Sequence, residues 1–183
     1  RRPDGRVGVR NKVLILPTSV CASDTARIIS QQVEGSVTFN NQQGCSQVAV
    51  DQQLTMDVMA GYAANPNIYG TVLVSLGCEN CQMDLVAEAI AERTNKPMQR
   101  VIIQEAGGTL KAVEQAVRYA KQMVAEAGMV QREEFPISEL IVGTECGGSD
   151  PTSGFSSNTV LGLVTDEVID AGGTAILSET VEC

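Results

Sequence analysis

Six short apolar runs recur along the 183 residues and constrain the fold more than any other feature. They are Val13-Leu14-Ile15-Leu16, Ser36-Val37-Thr38-Phe39, Thr71-Val72-Leu73-Val74-Ser75-Leu76, Val101-Ile102-Ile103, Leu140-Ile141-Val142 and Ala175-Ile176-Leu177. Most are unbroken rather than alternating, as strands covered on both faces of a parallel sheet read. Helical spacing fills the gaps. Val50, Leu54 and Val58 recur every four residues in a stretch that ends before Asn65-Pro66. Leu110, Val113, Val117, Ala120 and Val124 form a stripe closed by Gly128. Val160, Leu163, Val164 and Val168 form another, with Asn158 as N-cap and Gly172-Gly173 as stop. Ser23 to Gln32 and Asp84 to Arg93 read as shorter helices. The alternation predicts an α/β fold: a Rossmann-like three-layer α/β/α sandwich around a mainly parallel sheet of about six strands. No linker interrupts it, so residues 1–183 read as a single α/β domain.

Composition narrows the function classes. The charge of −9 opposes a nucleic-acid or anionic-membrane surface. Aromatics at 3% leave little for a base-stacking platform. The longest apolar run, Val13 to Pro17, is too short for a membrane span. Nothing near Arg1 reads as a signal peptide, and the expected location is cytoplasmic. The chain has no His, which excludes an imidazole base or imidazole metal ligand from its own residues. It does have six Cys, which without signs of secretion point to metal binding or chemistry rather than to disulfides.

The position of those cysteines is informative. Cys21 follows the first run, Cys45 the second, Cys78 and Cys81 the third, Cys146 the fifth and Cys183 the sixth. In a parallel sheet the carboxyl ends of the strands share one edge, where ligands bind. A buried Cys often only fills space, and Cys21 and Cys183 read that way. Cys45, Cys78 and Cys146 each adjoin a glycine, which lets backbone approach a ligand closely. Cys78-Glu79-Asn80-Cys81 is a CxxC, readable as a redox pair or as two metal ligands. Thiolates favour zinc, copper(I) or an iron–sulfur cluster; Glu79, Glu145 and Asp150 suit iron(II), manganese or magnesium. Spacing does not choose between them.

Two loops add anion-binding features. In Gly143 to Gly154, Asp150-Pro151 can open a helical turn, and Ser149, Thr152 and Ser153 supply hydroxyls. A plain Gly/Ser-rich connection is the alternative. Ala106-Gly107-Gly108-Thr109 opens a helix similarly, and matches neither a Walker A loop nor a GxGxxG fingerprint.

Several segments together resemble the main domain of the altronate/galactarate dehydratase family. They are Pro3-Asp4-Gly5-Arg6-Val7-Gly8-Val9-Arg10-Asn11, Leu16-Pro17-Thr18, Gly44-Cys45-Ser46-Gln47, Asn65-Pro66-Asn67 and Leu76-Gly77-Cys78-Glu79. Gln104-Glu105-Ala106-Gly107-Gly108-Thr109 and Gly143 to Asp150, with Ser153-Gly154 and Asn158, complete the set. The large subunit of sulfolactate sulfo-lyase is similar too. The resemblance implies β-elimination from a sugar acid such as altronate or galactarate, giving a 2-keto-3-deoxy acid. A divalent metal assists, iron(II) first, with manganese, magnesium or an iron–sulfur cluster as alternatives. It implies that the chain is the N-terminal half of a longer catalytic region, acting with a small N-terminal domain or subunit, and with a homo-oligomer open. The candidate catalytic residues are Glu79, Asp150 and Cys146. Cys45, Cys78 and Cys146 are candidate metal ligands. Arg10, Asn11, Gly107, Gly108, Thr109, Ser149, Ser153 and Asn158 are candidate substrate contacts. Bisulfite release from sulfolactate, a non-catalytic carboxylate-binding module and a thiol or iron–sulfur carrier remain the competing readings.

Overall fold

The computed structural model describes residues 1–145, 147, 148 and 150–178. The chain divides into two compact units, residues 1–131 and the residues from 132 onward. Each is described by itself.

The first unit alternates strand and helix. β1 (Lys12–Pro17) leads into α1 (Val20–Gln31), β2 (Ser36–Thr38) into α2 (Ala49–Ala64) and β3 (Ile68–Ser75) into α3 (Met83–Ala91). β4 (Met98–Ile102) is followed by the single turn α4 (Ile103–Ala106) and the long α5 (Thr109–Gly128). All four strands are parallel, in the order β2-β1-β3-β4.

The unbroken apolar runs explain the layers. Along β1, Val13 and Ile15 face one side with Val72 and Val74 of β3, under Ala22, Ala26 and Ile29 of α1 and Ala112, Ala116 and Ala120 of α5. Leu14, Leu16 and Leu73 face the other, against Met59, Ala60 and Ala63 of α2 and Val86, Ala87 and Ile90 of α3. Successive residues of a strand point to opposite faces, so both parities must be apolar when helices cover both. The three-layer arrangement holds for this unit.

The second unit is a small β-α-β: a 3₁₀ turn (Ile137–Glu139), β5 (Ile141–Thr144), α6 (Ser157–Asp170) and β6 (Thr174–Leu177). β5 and β6 pair in parallel, Val142 opposite Ala175. The sheet of about six strands is thus corrected to a four-stranded and a two-stranded sheet. Strand character is local, but strand pairing is not, and the strand-helix alternation looks the same in either arrangement.

Three helical details also differ. Val50, Leu54 and Val58 lie on the exposed side of α2, at 80%, 63% and 49% exposure, while the neighbouring Met59, Ala60, Ala63 and Ala64 are buried. Small residues let the helix approach the sheet; the larger aliphatics are left outside. On α6 only Val168 of the expected stripe is buried. Asn158 is inside the first turn of α6, and Ser156 holds the N-cap position. Among the described residues no helix is long and apolar enough to cross a membrane.

Candidate active site

In the order β2-β1-β3-β4, the connections reverse direction between β1 and β3. Open parallel sheets form a crevice at that point, outside the carboxyl ends of the strands. The loops there are Thr18-Ser19 after β1, Asn41 to Gln47 after β2, Leu76 to Cys81 after β3 and Gln104 to Thr109 around α4.

Glu79 organises the loop after β3. One carboxylate oxygen accepts the Thr18 hydroxyl and the Leu76 N–H (3.0 Å). The other accepts the N–H groups of Gly77 (2.7 Å) and Cys78 (2.9 Å). Burial pushes this carboxyl up, but hydrogen bonds from Thr18, the Gly77 amide and Ser75 outweigh it and hold the carboxyl below its ordinary value. Glu79 is 4% exposed, and its acceptor positions are taken by the protein. The carboxylate fastens β3's loop to the end of β1, across the switch point.

The loop after β2 is fastened just as closely. Asn41 donates to the Pro17 carbonyl (3.1 Å) and accepts the Gln43 N–H (2.9 Å). The Gln47 side chain accepts the Gly44 N–H at 2.9 Å, and Gln43's carbonyl accepts the N–H of Val20. Gly44 has φ +94°, and a Cβ there would stand 2.1 Å from the Thr18 carbonyl oxygen. This glycine serves the close approach of two stretches of the protein's own backbone, whereas the sequence suggested approach to a ligand.

The thiols of the first unit gather on this edge. Cys21 lies in the first turn of α1 and is exposed; Cys45 is half-buried; Cys78 is exposed; Cys81 is fully buried. The Cys81 N–H donates to the Gly44 carbonyl (2.9 Å), and the Ser46 N–H donates to the Asn80 side chain (3.0 Å). The β2 and β3 loops are therefore one hydrogen-bonded body.

Beyond β4, Gly107 (φ +86°) and Gly108 (φ +114°) form the entrance to α5, with Gly108 at its N-cap position and Thr109 its first residue. Nothing lies within 4 Å of a Cβ built at Gly108, so the start of α5 faces open space. At Gly107 the nearest atom is Lys111 Nζ, at 3.4 Å. An ammonium thus stands beside the free amides of a helix N-terminus, a combination suited to a carboxylate.

Other expected residues lie elsewhere. Arg10 and Asn11 precede β1 and so belong to the amino edge of the sheet, opposite the loops above. There Asn67 Oδ1 accepts the Arg10 N–H (3.0 Å), and Asn11 donates to the Ala127 carbonyl at the end of α5 (3.3 Å). Asp150 and Ser153 are in the second unit. Asp150 accepts the N–H (2.7 Å) and hydroxyl of Thr152 and the hydroxyl of Ser153 (3.1 Å). These bonds, the Thr152 hydroxyl first, draw its carboxyl below the ordinary value. Asn158 is exposed on α6. Cys146, Ser149, Cys183 and residues 179–182 lie outside the described residues.

A divalent metal or iron–sulfur cluster needs several converging donors. Among the described residues no group of three or more Cys, Asp or Glu side chains could hold a metal ion. Cys45 and Cys78 therefore make no metal site with the other described residues, and Glu79 spends its oxygens on the loop.

A family model described as "D-galactarate dehydratase/Altronate hydrolase, second domain" matches residues 1–128. The chain belongs to this family. Residues 137–183 match a second model, "D-galactarate/Altronate dehydratase, C-terminal". The division of the chain after Gln131 falls between the two matches. Altronate dehydratase of Bacillus subtilis is 32% identical over 192 residues, covering 100% of this chain and 38% of that protein. Altronate dehydratase of Escherichia coli is 33% identical with the same coverage. The subunit beta of (2R)-sulfolactate sulfo-lyase from Chromohalobacter salexigens is 32% identical, covering 100% of this chain and 46% of that subunit. The chain thus spans less than half the length of these curated relatives.

In this chain, sequence reading missed Thr18, Asn41 and Asn80. The partners of Thr18 and Asn80 lie 61 and 34 positions away, so no local pattern announces them. Lys111 reads as a solvated helix position until Gly107 is placed beneath it. Lys96 is at the amino edge. Its Nζ donates to the carbonyls of Ala63, Ala64 and Asn65 at the end of α2. Burial pushes its pKa down to about 8.

Proposed function

We propose that the protein to which this chain belongs is a hydro-lyase that dehydrates a sugar acid, altronate or galactarate, to a 2-keto-3-deoxy acid. The observation that carries the reading is the family match over residues 1–128, the part of the chain that builds the β1/β3 crevice. In this reading the first-turn amides of α5 from Thr109 onward, with Lys111, hold the substrate carboxylate, while the Gly108 N–H is kept by the Ile103 carbonyl (2.9 Å). Charge that develops on that end as the α proton leaves is then met by preset dipoles and an ammonium. Glu79 acts as a positioning residue that fixes the loop carrying Cys78.

Bisulfite elimination from sulfolactate is the second reading, favoured by the sulfo-lyase relative at an identity equal to the dehydratases'. Because that relative is named as a subunit, this reading includes a companion chain. The deciding experiment incubates the full-length protein, purified without oxygen, with altronate, galactarate and sulfolactate. Keto acid and sulfite are measured together. Keto acid from a sugar acid without sulfite supports dehydration. Sulfite with pyruvate from sulfolactate moves the assignment to the second reading. Tight binding of the acids with no keto product leaves a carboxylate-binding module and refutes both.

A further inference from the structure

Four thiols lie on one edge of the first unit, and the dehydration proposed above uses none of them. Two are placed to react with each other. The hydrogen bond from the Cys81 N–H to the Gly44 carbonyl, 2.9 Å, sets the backbone of Cys81 against the peptide that links Gly44 to Cys45. With that bond and ordinary covalent lengths, the Cα atoms of Cys45 and Cys81 are at most about 7 Å apart. A disulfide spans Cα separations of about 4.4–6.8 Å. Cys45 is also within electrostatic reach of the Cys81 thiol, which is pushed up by burial first, then by Glu79, then by Cys45. The flanking residues hold the pair in register, through the Ser46 N–H on Asn80 Oδ1 (3.0 Å) and the Gln52 amide on the Asn80 carbonyl (2.7 Å).

We propose that Cys45 and Cys81 are a redox pair that closes to a disulfide under peroxide, locking the β2 and β3 loops together across the sheet edge. The exposures set the order of events. Cys45 is half-buried and meets the oxidant, whereas Cys81 is buried in the core cluster with Leu14, Leu16 and Met83 and waits as the resolving thiol. Cys45 thiol and hydrogen peroxide give the sulfenic acid and one water. The Cys81 sulfur then attacks the Cys45 sulfur, forming the S–S bond and releasing a second water. Two thiols lose two electrons in all, and one peroxide is reduced to two waters. Cys78, although part of the CxxC, is the exposed bystander: its N–H is engaged by Glu79 and its thiol faces solvent.

The inference does not depend on which acid is turned over, and its test reads chemistry alone. Full-length protein is reduced, exposed to hydrogen peroxide, unfolded in alkylating reagent and digested after Asp and Glu. Cleavage after Asp51, Asp57, Glu79 and Asp84 leaves Cys45, Cys78 and Cys81 on separate peptides. The expected product is a Cys45–Cys81 linked pair, 2 Da lighter than the sum of its reduced peptides and released by dithiothreitol. It persists in Cys78→Ser. In Cys81→Ala the Cys45 sulfenic acid accumulates and is trapped by dimedone. A Cys78–Cys81 linkage overturns the proposal, as does over-oxidation of Cys45 with Cys81 still alkylatable. Because the wild-type and Cys78→Ser proteins leave the buried thiol in place, failure of the Cys81 variant to fold does not shield the idea.

Discussion

Replacing Gly44 by alanine puts a methyl group where another stretch of chain already runs. A Cβ at this position meets the Thr18 carbonyl oxygen at 2.1 Å and the Ser19 Cα at 2.8 Å, and the backbone has φ +94°. The left-handed conformation alone costs an L-residue about 1–2 kcal/mol. The overlap cannot be relieved by a rotamer, because the obstructing atoms are backbone. The β2 loop must move away from β1, which stretches the Val20 N–H to Gln43 carbonyl bond and the Cys81 N–H to Gly44 carbonyl bond. Each contributes about 1 kcal/mol, and forced overpacking adds about 1–3 kcal/mol. Gly5 is the control: its φ is +85°, yet a Cβ there meets nothing within 4 Å. Gly5→Ala thus bears the conformational cost alone, partly offset by a less flexible unfolded chain. The expected result is that Gly44→Ala destabilises the protein by about 3–5 kcal/mol more than Gly5→Ala. Urea denaturation of the two variants measures the difference, and amide exchange should speed up at Val20 and Cys81 only in the first. If both variants unfold within about 1 kcal/mol of each other, the close approach of Gly44 to Thr18 is not what holds this loop.

Glu79→Gln should cost about 2–4 kcal/mol, because its amide nitrogen cannot accept the N–H groups that the lost oxygen held. For wild-type protein the depressed carboxyl stabilises the fold above about pH 4.3, and that contribution is lost as the pH falls through the native value. An acid titration of stability should therefore be flatter in the Gln variant. Lys96 has a linkage of the same sign in a higher pH window. Its native pKa of about 8 lies below that of the unfolded chain, so its contribution to stability rises from about pH 8 to about 10. Lys96→Met should flatten that rise and cost about 2–3 kcal/mol at neutral pH through the stripped α2 carbonyls. On the proposed reaction, Lys111→Met should raise KM for the acid about 5-fold, about 1 kcal/mol of lost carboxylate attraction, with kcat changed less. An unchanged KM removes Lys111 from the substrate site.

Much of the layout was legible from residue order. The runs around Val13, Val72 and Val101 are apolar at both parities, and only a strand covered on two faces requires that. The placement of Cys45, Cys78 and Gly107-Gly108 after strands 2, 3 and 4 put them on the carboxyl edge as soon as the sheet was parallel. What was not legible depends on long-range partners. The fifth and sixth runs read like the first four, yet they pair with each other, since an apolar run states that it will be covered and not which strand lies beside it. Val50, Leu54 and Val58 have perfect helical spacing, but the sheet takes the alanine side of α2 because a close approach buries more. Arg10 and Asn11 carry suitable chemistry, and the direction of β1 puts them at the wrong edge. Glu79 is the sharpest case. The sequence identifies a carboxylate in a strand-end loop beside two thiols. Only the folded chain brings Thr18 and three backbone N–H groups around it, and a carboxylate saturated by fixed donors holds a loop in place.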